Sequence, residues 1–179
     1  CADHELNISS FTARCVASAG STPYAAVVAA LAALQGYKHG GASERVAACL
    51  AAATVDPQGA VRDYLRRGET LPGFGHHLYP HGDPRGQFLL ALAQRARPDA
   101  PVLAVAAAVV ETAWQAMQLA PNVDFGLVVL AQALELPPYA PFALFALGRT
   151  AGWIGHIVEQ YALDQTIRPR SRYIGVQPT

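Results

Sequence analysis

Apolar residues recur at three- and four-residue intervals through most of the chain. That spacing lays one face of an α-helix against a core. Alternating runs of β-branched residues are scarce, while alanine and leucine, both strong helix formers, are frequent. The pattern predicts an all-α fold whose helices are divided by glycine and proline. The first runs from Ile8 to Ala19 and ends at Gly20-Ser21-Thr22. Pro23 starts the second, where a missing N–H costs nothing, and that helix stops at Leu34. Ser43 is placed as the cap of a third, which continues through Ala53. Pro57 opens a fourth that ends at Arg66-Arg67-Gly68. Asp83-Pro84 supplies the cap and first residue of a fifth, ending near Arg97. Pro101 opens a sixth, to Leu119, and Pro121-Asn122-Val123-Asp124 opens a seventh that Pro137-Pro138 terminates. The last runs from Pro141 to Leu163, and the tail from Asp164 to Thr179 is expected to be irregular. The longest non-helical stretch between helices is Leu71 to Gly82.

Composition narrows the class. Of 179 residues, 52% are hydrophobic and 15% charged, which is too apolar for a disordered chain. Basic and acidic residues number 13 each. A nucleic-acid domain usually carries a clear basic excess, so no nucleic-acid partner is expected. The longest apolar run, Val102 to Val110, ends at Glu111 and falls short of the ~18 residues a membrane span needs. No signal-peptide pattern is visible, and a start at Cys1 without methionine leads us to expect an upstream segment. Cys1, Cys15 and Cys49 lie far apart with no Cys-x-x-Cys pair. No disulfide framework or zinc site is therefore expected, and a reducing cytosol is the default.

Polar residues without an obvious structural purpose mark the candidate chemistry. His39 lies in Tyr37-Lys38-His39-Gly40-Gly41, where glycines allow close approach of a ligand. The positive end of the following helix would keep the imidazole neutral, able to donate to a developing enolate oxygen. The plainer alternative is a histidine that caps a turn. The loop from Gly73 to Arg85 holds His76, His77 and His81. Arg85 falls in a first helical turn, where a cation opposes the dipole and suggests an anionic partner. A solvated arginine is the alternative. The histidines show no recognised zinc spacing and no adjacent Cys or Glu, so no metal is expected. Asp124 begins an apolar helix. It is either a first-turn carboxylate that satisfies the dipole or a general base whose pKa is raised by apolar surroundings. Arg149 sits in the most apolar helix and must find a carboxylate or a ligand. Arg149, Trp153 and His156 share one face of it. A structural pair with Glu159 or Asp164 is the alternative. Gly148, Gly152 and Gly155 on the same helix predict close helix–helix packing.

Seven stretches occur in an order and spacing that resemble the citrate synthase family. They are Asp3-His4-Glu5-Leu6-Asn7, Lys38-His39-Gly40-Gly41-Ala42, Gly73-Phe74-Gly75-His76, Asp83-Pro84-Arg85, Asn122-Val123-Asp124-Phe125, Gly148-Arg149-Thr150-Ala151-Gly152-Trp153 and Arg168-Pro169-Arg170. The resemblance implies an all-α fold with a large and a small domain. Residues 1–40 and 138–179 would belong to the large domain and 41–137 to the small one. Family members are about twice this length, so the chain is expected to be a C-terminal half.

The resemblance also implies roles. His39 matches the histidine that stabilises the acetyl-CoA enol, Asp124 the base, and His76 the histidine that polarises the oxaloacetate carbonyl. His4, Asn7, Arg85 and Arg149 match oxaloacetate-binding positions. Arg168 matches the arginine donated to the neighbouring subunit's site, which implies a homodimer. Gly73, Phe74 and Gly75 match backbone that contacts CoA. No permanently bound cofactor or metal is implied, since acetyl-CoA is a co-substrate. The chain departs from the family's pattern at Gly126-Leu127-Val128, Ser43, His77 and Pro80. The departures leave room for a 2-methylcitrate synthase, a citryl-CoA-cleaving relative or a noncatalytic binding module.

Overall fold

The computed structural model describes residues 1–2, 4–172 and 174–175; Asp3, Tyr173 and 176–179, including the end of the tail expected to be irregular, lie outside the described residues. Eight helices are present among the described residues: α1 Ile8–Ser18, α2 Pro23–Leu34, α3 Ala42–Ala53, α4 Pro57–Arg66, α5 Pro84–Ala96, α6 Pro101–Met117, α7 Val123–Ala133 and α8 Ala140–Leu163. No strand occurs among them, only an isolated antiparallel bridge between Phe74 and Pro121. The fold is all-α, as the periodicity predicts.

Three boundaries differ from expectation. Ser43 is not a cap: Gly41 holds that position, and Ser43 is buried inside α3. The sixth helix stops at Met117 because Gln118 turns left-handed and its backbone and side-chain nitrogens both donate to the Trp114 carbonyl. The seventh ends before its prolines. Glu135 adopts φ 56°, Leu136 N–H donates to Ala131 O at 2.9 Å and Glu135 N–H to Gln132 O at 3.1 Å. Those two bonds form a Schellman motif, which closes a helix without proline.

Burial forms two hydrophobic cores. One gathers Ala13, Ala26, Ala30, Leu34, Trp153 and Ile157 from α1, α2 and α8. The other gathers Val46, Leu50, Val61, Val109, Phe125 and Val129 from α3, α4, α6 and α7, with Leu89 of α5 packed against it. The chain passes between them at the turn 36–41 and returns through 134–139. Gly40 in that turn is a packing requirement, since a Cβ there would lie 2.7 Å from Leu34 O. Two of the three glycines of α8, Gly148 and Gly155, do not serve helix–helix packing as expected. A Cβ at Gly148 would meet Cys1, and one at Gly155 would meet the His4 ring, so the N-terminal segment lies against them.

Candidate active site

A cavity of about 170 Å³ opens between the two cores, lined by Glu5, Asn7, His39, Gly40, His76, His77, Arg85, Val123, Asp124, Phe145 and Arg149. Its walls come from the N-terminal segment, the turn before α3, the segment leading into α5, the starts of α5 and α7, and the interior of α8.

His39 enters from the turn that leaves the α2 side. Its Nε2 lies 2.9 Å from Ser9 Oγ. That hydroxyl accepts the Trp153 indole N–H at 3.1 Å and lies 2.9 Å from Asn7 Oδ1. Asn7 in turn caps α1 by accepting Ser10 N–H at 3.0 Å. Burial, and then the Arg149 charge, holds the His39 pKa below the ordinary histidine value. The ring is thus neutral near pH 7 through burial and Arg149, where sequence reasoning credited the next helix.

His76 is also held below the ordinary value, first by burial and then by Arg85, with Asp83 and Glu5 acting in the opposite sense. Leu78 N–H donates to Nδ1 at 3.2 Å, and in the tautomer that keeps this bond the proton of the neutral ring is on Nε2. Nε2 lies 3.2 Å from Arg85 Nη2. A guanidinium has no acceptor, so in that tautomer the contact sets two donors face to face and is not a hydrogen bond.

Arg85 is aimed by Asp83, which is 1% exposed. The carboxylate accepts Arg85 Nε at 3.0 Å and Nη2 at 2.9 Å. It also accepts the Arg85 backbone N–H at 3.0 Å and the Val123 N–H at 3.0 Å. One side chain therefore caps α5, fixes the guanidinium and ties α5 to the start of α7. Burial opposes its charge, but the bonds from Arg85 and Val123 prevail and its pKa lies below the usual carboxylate value. The anion that answers Arg85 locally is Asp83, which the sequence reading took only for a cap. The Asp-x-Arg spacing at a helix start was the available signal.

Asp124 is the second residue of α7, whose cap is Asn122. Asn122 Oδ1 accepts Asp124 N–H at 3.0 Å, and its Nδ2 donates to Gly75 O at 3.1 Å. Capping thus falls to Asn122, and the Asp124 carboxyl lines the cavity. Burial raises its pKa to about 6; Arg85 pulls it down and Asp83 pushes it up. Arg149 is 3% exposed. Its guanidinium lies 5.2 Å from the Phe145 ring centre and lines the same cavity. Neither expected structural partner serves it. Glu159 is held by Arg14 at 2.7 Å and His4 at 2.8 Å, and Asp164 lies about 22 Å further along the helix at 1.5 Å per residue.

The fold therefore gathers His39, His76, Asp124, Arg85, Arg149 and Asn7. It does not bring in His4, which is turned toward Glu159 and stacked on His156 at 4.1 Å. Arg168 is exposed beyond α8 and does not line the cavity. Gly73, Phe74 and Gly75 lie behind it. Gly73 O accepts Asn122 N–H at 2.9 Å, and Phe74 meets Phe125 edge-on at 4.9 Å. At Gly73, φ is +81° and a Cβ would lie 2.8 Å from Val46, so only glycine fits. Sequence reasoning missed Ser9, Glu5 and Phe145. Ser9 is buried, and its position on the inner face of α1 was a weak signal.

The chemistry available follows from these states. A carboxyl with a pKa near 6 can take a proton from carbon. Two neutral histidines can donate to developing oxyanions, and two guanidiniums can hold carboxylates.

The family described as citrate synthase, C-terminal domain, matches residues 1–170. A citrate synthase of Haloferax volcanii is 38% identical over 97% of this chain and 48% of its own length. A 2-methylcitrate synthase of Shewanella oneidensis is 31% identical over 99% of this chain and 48% of its own. Among solved structures, citrate synthase from Thermotoga maritima superposes with a TM-score of 0.86 and 34% identity, covering 99% of this chain and 51% of that one. The ternary complex of carboxymethyl coenzyme A and oxaloacetate with the Thermoplasma acidophilum citrate synthase gives 0.85 and 29%, covering 99% and 50%. A citryl-CoA lyase from Hydrogenobacter thermophilus gives 0.83 and 26%, covering 99% and 73%. The chain spans about half the length of the curated relatives it matches.

Proposed function

The chain belongs to the citrate synthase family, and from that premise we propose that it carries the chemistry of a citrate synthase: condensation of acetyl-CoA with oxaloacetate to citrate and CoA. One observation supports this above the others. A carboxyl with a pKa of about 6, two histidines held neutral and two arginines share one cavity. Asp124, ionised, takes a methyl proton from the thioester. His39 donates to the enol oxygen as it forms, from Nδ1–H; this requires the Ser9 hydroxyl, which in the structure donates to Asn7 Oδ1, to turn its one proton to Nε2. The enol carbon attacks the oxaloacetate ketone, whose oxygen is polarised by His76 Nε2–H and takes its proton. Water then cleaves the citryl thioester to citrate and CoA. Arg85, Arg149 and Asn7 bind the dicarboxylate. Gly73 to Gly75 supply backbone for CoA.

The two cores support a division into 1–40 with 138–179 and a second body of 41–137, which would close on the substrates. A homodimer belongs to the same reading, with Arg168 reaching the second copy's cavity. Exposed Tyr24, Val28, Leu147 and Val158 on α2 and α8 offer apolar surface for that contact. The likeness to a 2-methylcitrate synthase and a citryl-CoA lyase supports a second reading, with propionyl-CoA or citryl-CoA as substrate.

The test is thiol release by the protein as its gene encodes it. Acetyl-CoA plus oxaloacetate should release CoA, and Asp124→Ala should abolish it. Preference for propionyl-CoA, or cleavage of citryl-CoA without condensation, selects the second reading. Activity that survives Asp124→Ala sinks the mechanism, and no turnover of any of these substrates leaves a binding module.

A further inference from the structure

A second cluster of titratable side chains lies outside the cavity, on the N-terminal segment and α8. His156 Nε2–H donates to the His4 carbonyl at 3.1 Å. Arg14 of α1 donates from Nη1 to His156 Nδ1 at 3.0 Å and to Glu159 Oε2 at 2.7 Å. The other Glu159 oxygen lies 2.8 Å from His4 Nε2. The His4 and His156 rings stack 4.1 Å apart at 13°. The segment sits directly on α8, because a Cβ at Gly155 would lie 2.9 Å from the His4 ring. His156 is 5% exposed.

These contacts specify a protonation state. With Nε2–H donating and Nδ1 accepting, the His156 ring is neutral. A second proton would turn Nδ1 into a donor facing the donors of Arg14, and that bond would be lost. Glu159 Oε2, 3.7 Å from Nδ1, is too far to replace it at hydrogen-bond length. We propose that Arg14, His156 and Glu159 are positioning residues, a clasp that holds His4 and so places residues 4–7 at the cavity, and that it loosens when His156 gains a proton. Glu5 and Asn7, which line the cavity, follow His4 directly, and Asn7 lies against Ser9, the contact of His39. The clasp thus acts on substrate binding and His39 orientation through the backbone of the segment.

The charged and titratable groups facing His156 are His4 from the segment, Arg14 from α1 and Glu159 from α8. Burial first, then His4 and Arg14, holds its pKa below the ordinary value, while Glu159 and the His4 carbonyl act in the opposite sense. The clasp is therefore closed near pH 7 and opens as the pH falls below the ordinary histidine value of about 6.5.

Only the kinetic part of the test rests on the proposed reaction. Backbone amide exchange over 4–9, corrected for intrinsic pH dependence, is measured in the protein as its gene encodes it. Wild-type exchange should rise by about five-fold or more between about pH 7.5 and about pH 5.5. His156→Asn, which cannot titrate, should flatten that rise. Glu159→Gln, a change at a half-exposed position, should speed exchange at both pH values. Where condensation is active, Glu159→Gln should raise KM for oxaloacetate by about five-fold with little change in kcat. Equal wild-type protection at the two pH values, or an undiminished pH response in His156→Asn, overturns the clasp. If no condensation occurs, the exchange data still decide the clasp, so the two failures are told apart.

Discussion

The starts of α5 and α7 carry the same residue type in neighbouring, desolvated places, and the two carboxyls end in opposite states. Asp83 accepts bonds from the Arg85 side chain, the Arg85 backbone and the Val123 backbone, and its pKa falls below the usual value. Asp124 lines the cavity, and burial lifts its pKa to about 6. Burial acts against both charges. The number of fixed donors aimed at each carboxylate decides which stays an anion and which holds its proton to higher pH.

The largest effect expected from breaking this contrast is on Asp83. Asp83→Asn leaves the Arg85 cation without its bidentate partner and weakens the tie to Val123. Loss of about 3–5 kcal/mol of unfolding free energy is expected, measured by denaturant titration. A cost below about 1 kcal/mol would show that the pair is incidental. Asp124→Asn should do the reverse. It removes a strained charge, so stability near pH 7 should hold or rise, while kcat for CoA release falls by about 10²–10⁴-fold.

The two carboxyls should also give opposite slopes of stability with pH. The folded pKa of Asp124 is raised from 3.8 to about 6, so the unfolded chain loses this proton first as the pH rises. Stability from this group is full below its unfolded value and declines as the pH rises to about 6, by up to about 3 kcal/mol at 1.36 kcal/mol per unit. The folded pKa of Asp83 is depressed, so its contribution is present above the unfolded value and is lost as the pH falls through the folded one. Thermal unfolding across acid pH should show the declining limb vanish in Asp124→Asn and the rising limb vanish in Asp83→Asn. In kinetics, turnover should fall below about pH 6 as Asp124 becomes protonated. The smallest effect belongs to the α7 cap. Asn122→Ala should cost about 1 kcal/mol and lower kcat by loosening Asp124, read from the same titrations and assays.

Much of the fold was legible in local chemistry. Pro23, Pro57, Pro84 and Pro101 each occupy the first residue of their helix, as their missing N–H predicts. Asp83 caps α5, as expected. The helix ends were harder to place where Gln118 and Glu135 adopt left-handed conformations without glycine. Those ends depend on hydrogen bonds that no residue preference announces. At the site, the motifs pointed to His39, His76, Arg85, Asp124 and Arg149, and the cavity contains all five. Ser9 escaped notice because a serine inside a helix carries no signal until Trp153 and His39 are packed against it. His4 stood in a family motif yet lies on Glu159 and His156, whose positions are set more than 150 residues away in the chain.

By itself the sequence determined the helices and most of their starts, because period, propensity and proline geometry act within a few neighbouring residues. Through its motifs it also determined the family and the residue types at the site. Only the tertiary structure decided which of those residues meet, and in what charge state. Asp83 and Val123 are 40 residues apart, and burial of Asp124 likewise needs the whole fold. Desolvation and donor count exist only once the chain has folded, and they set the chemistry of each carboxyl and imidazole.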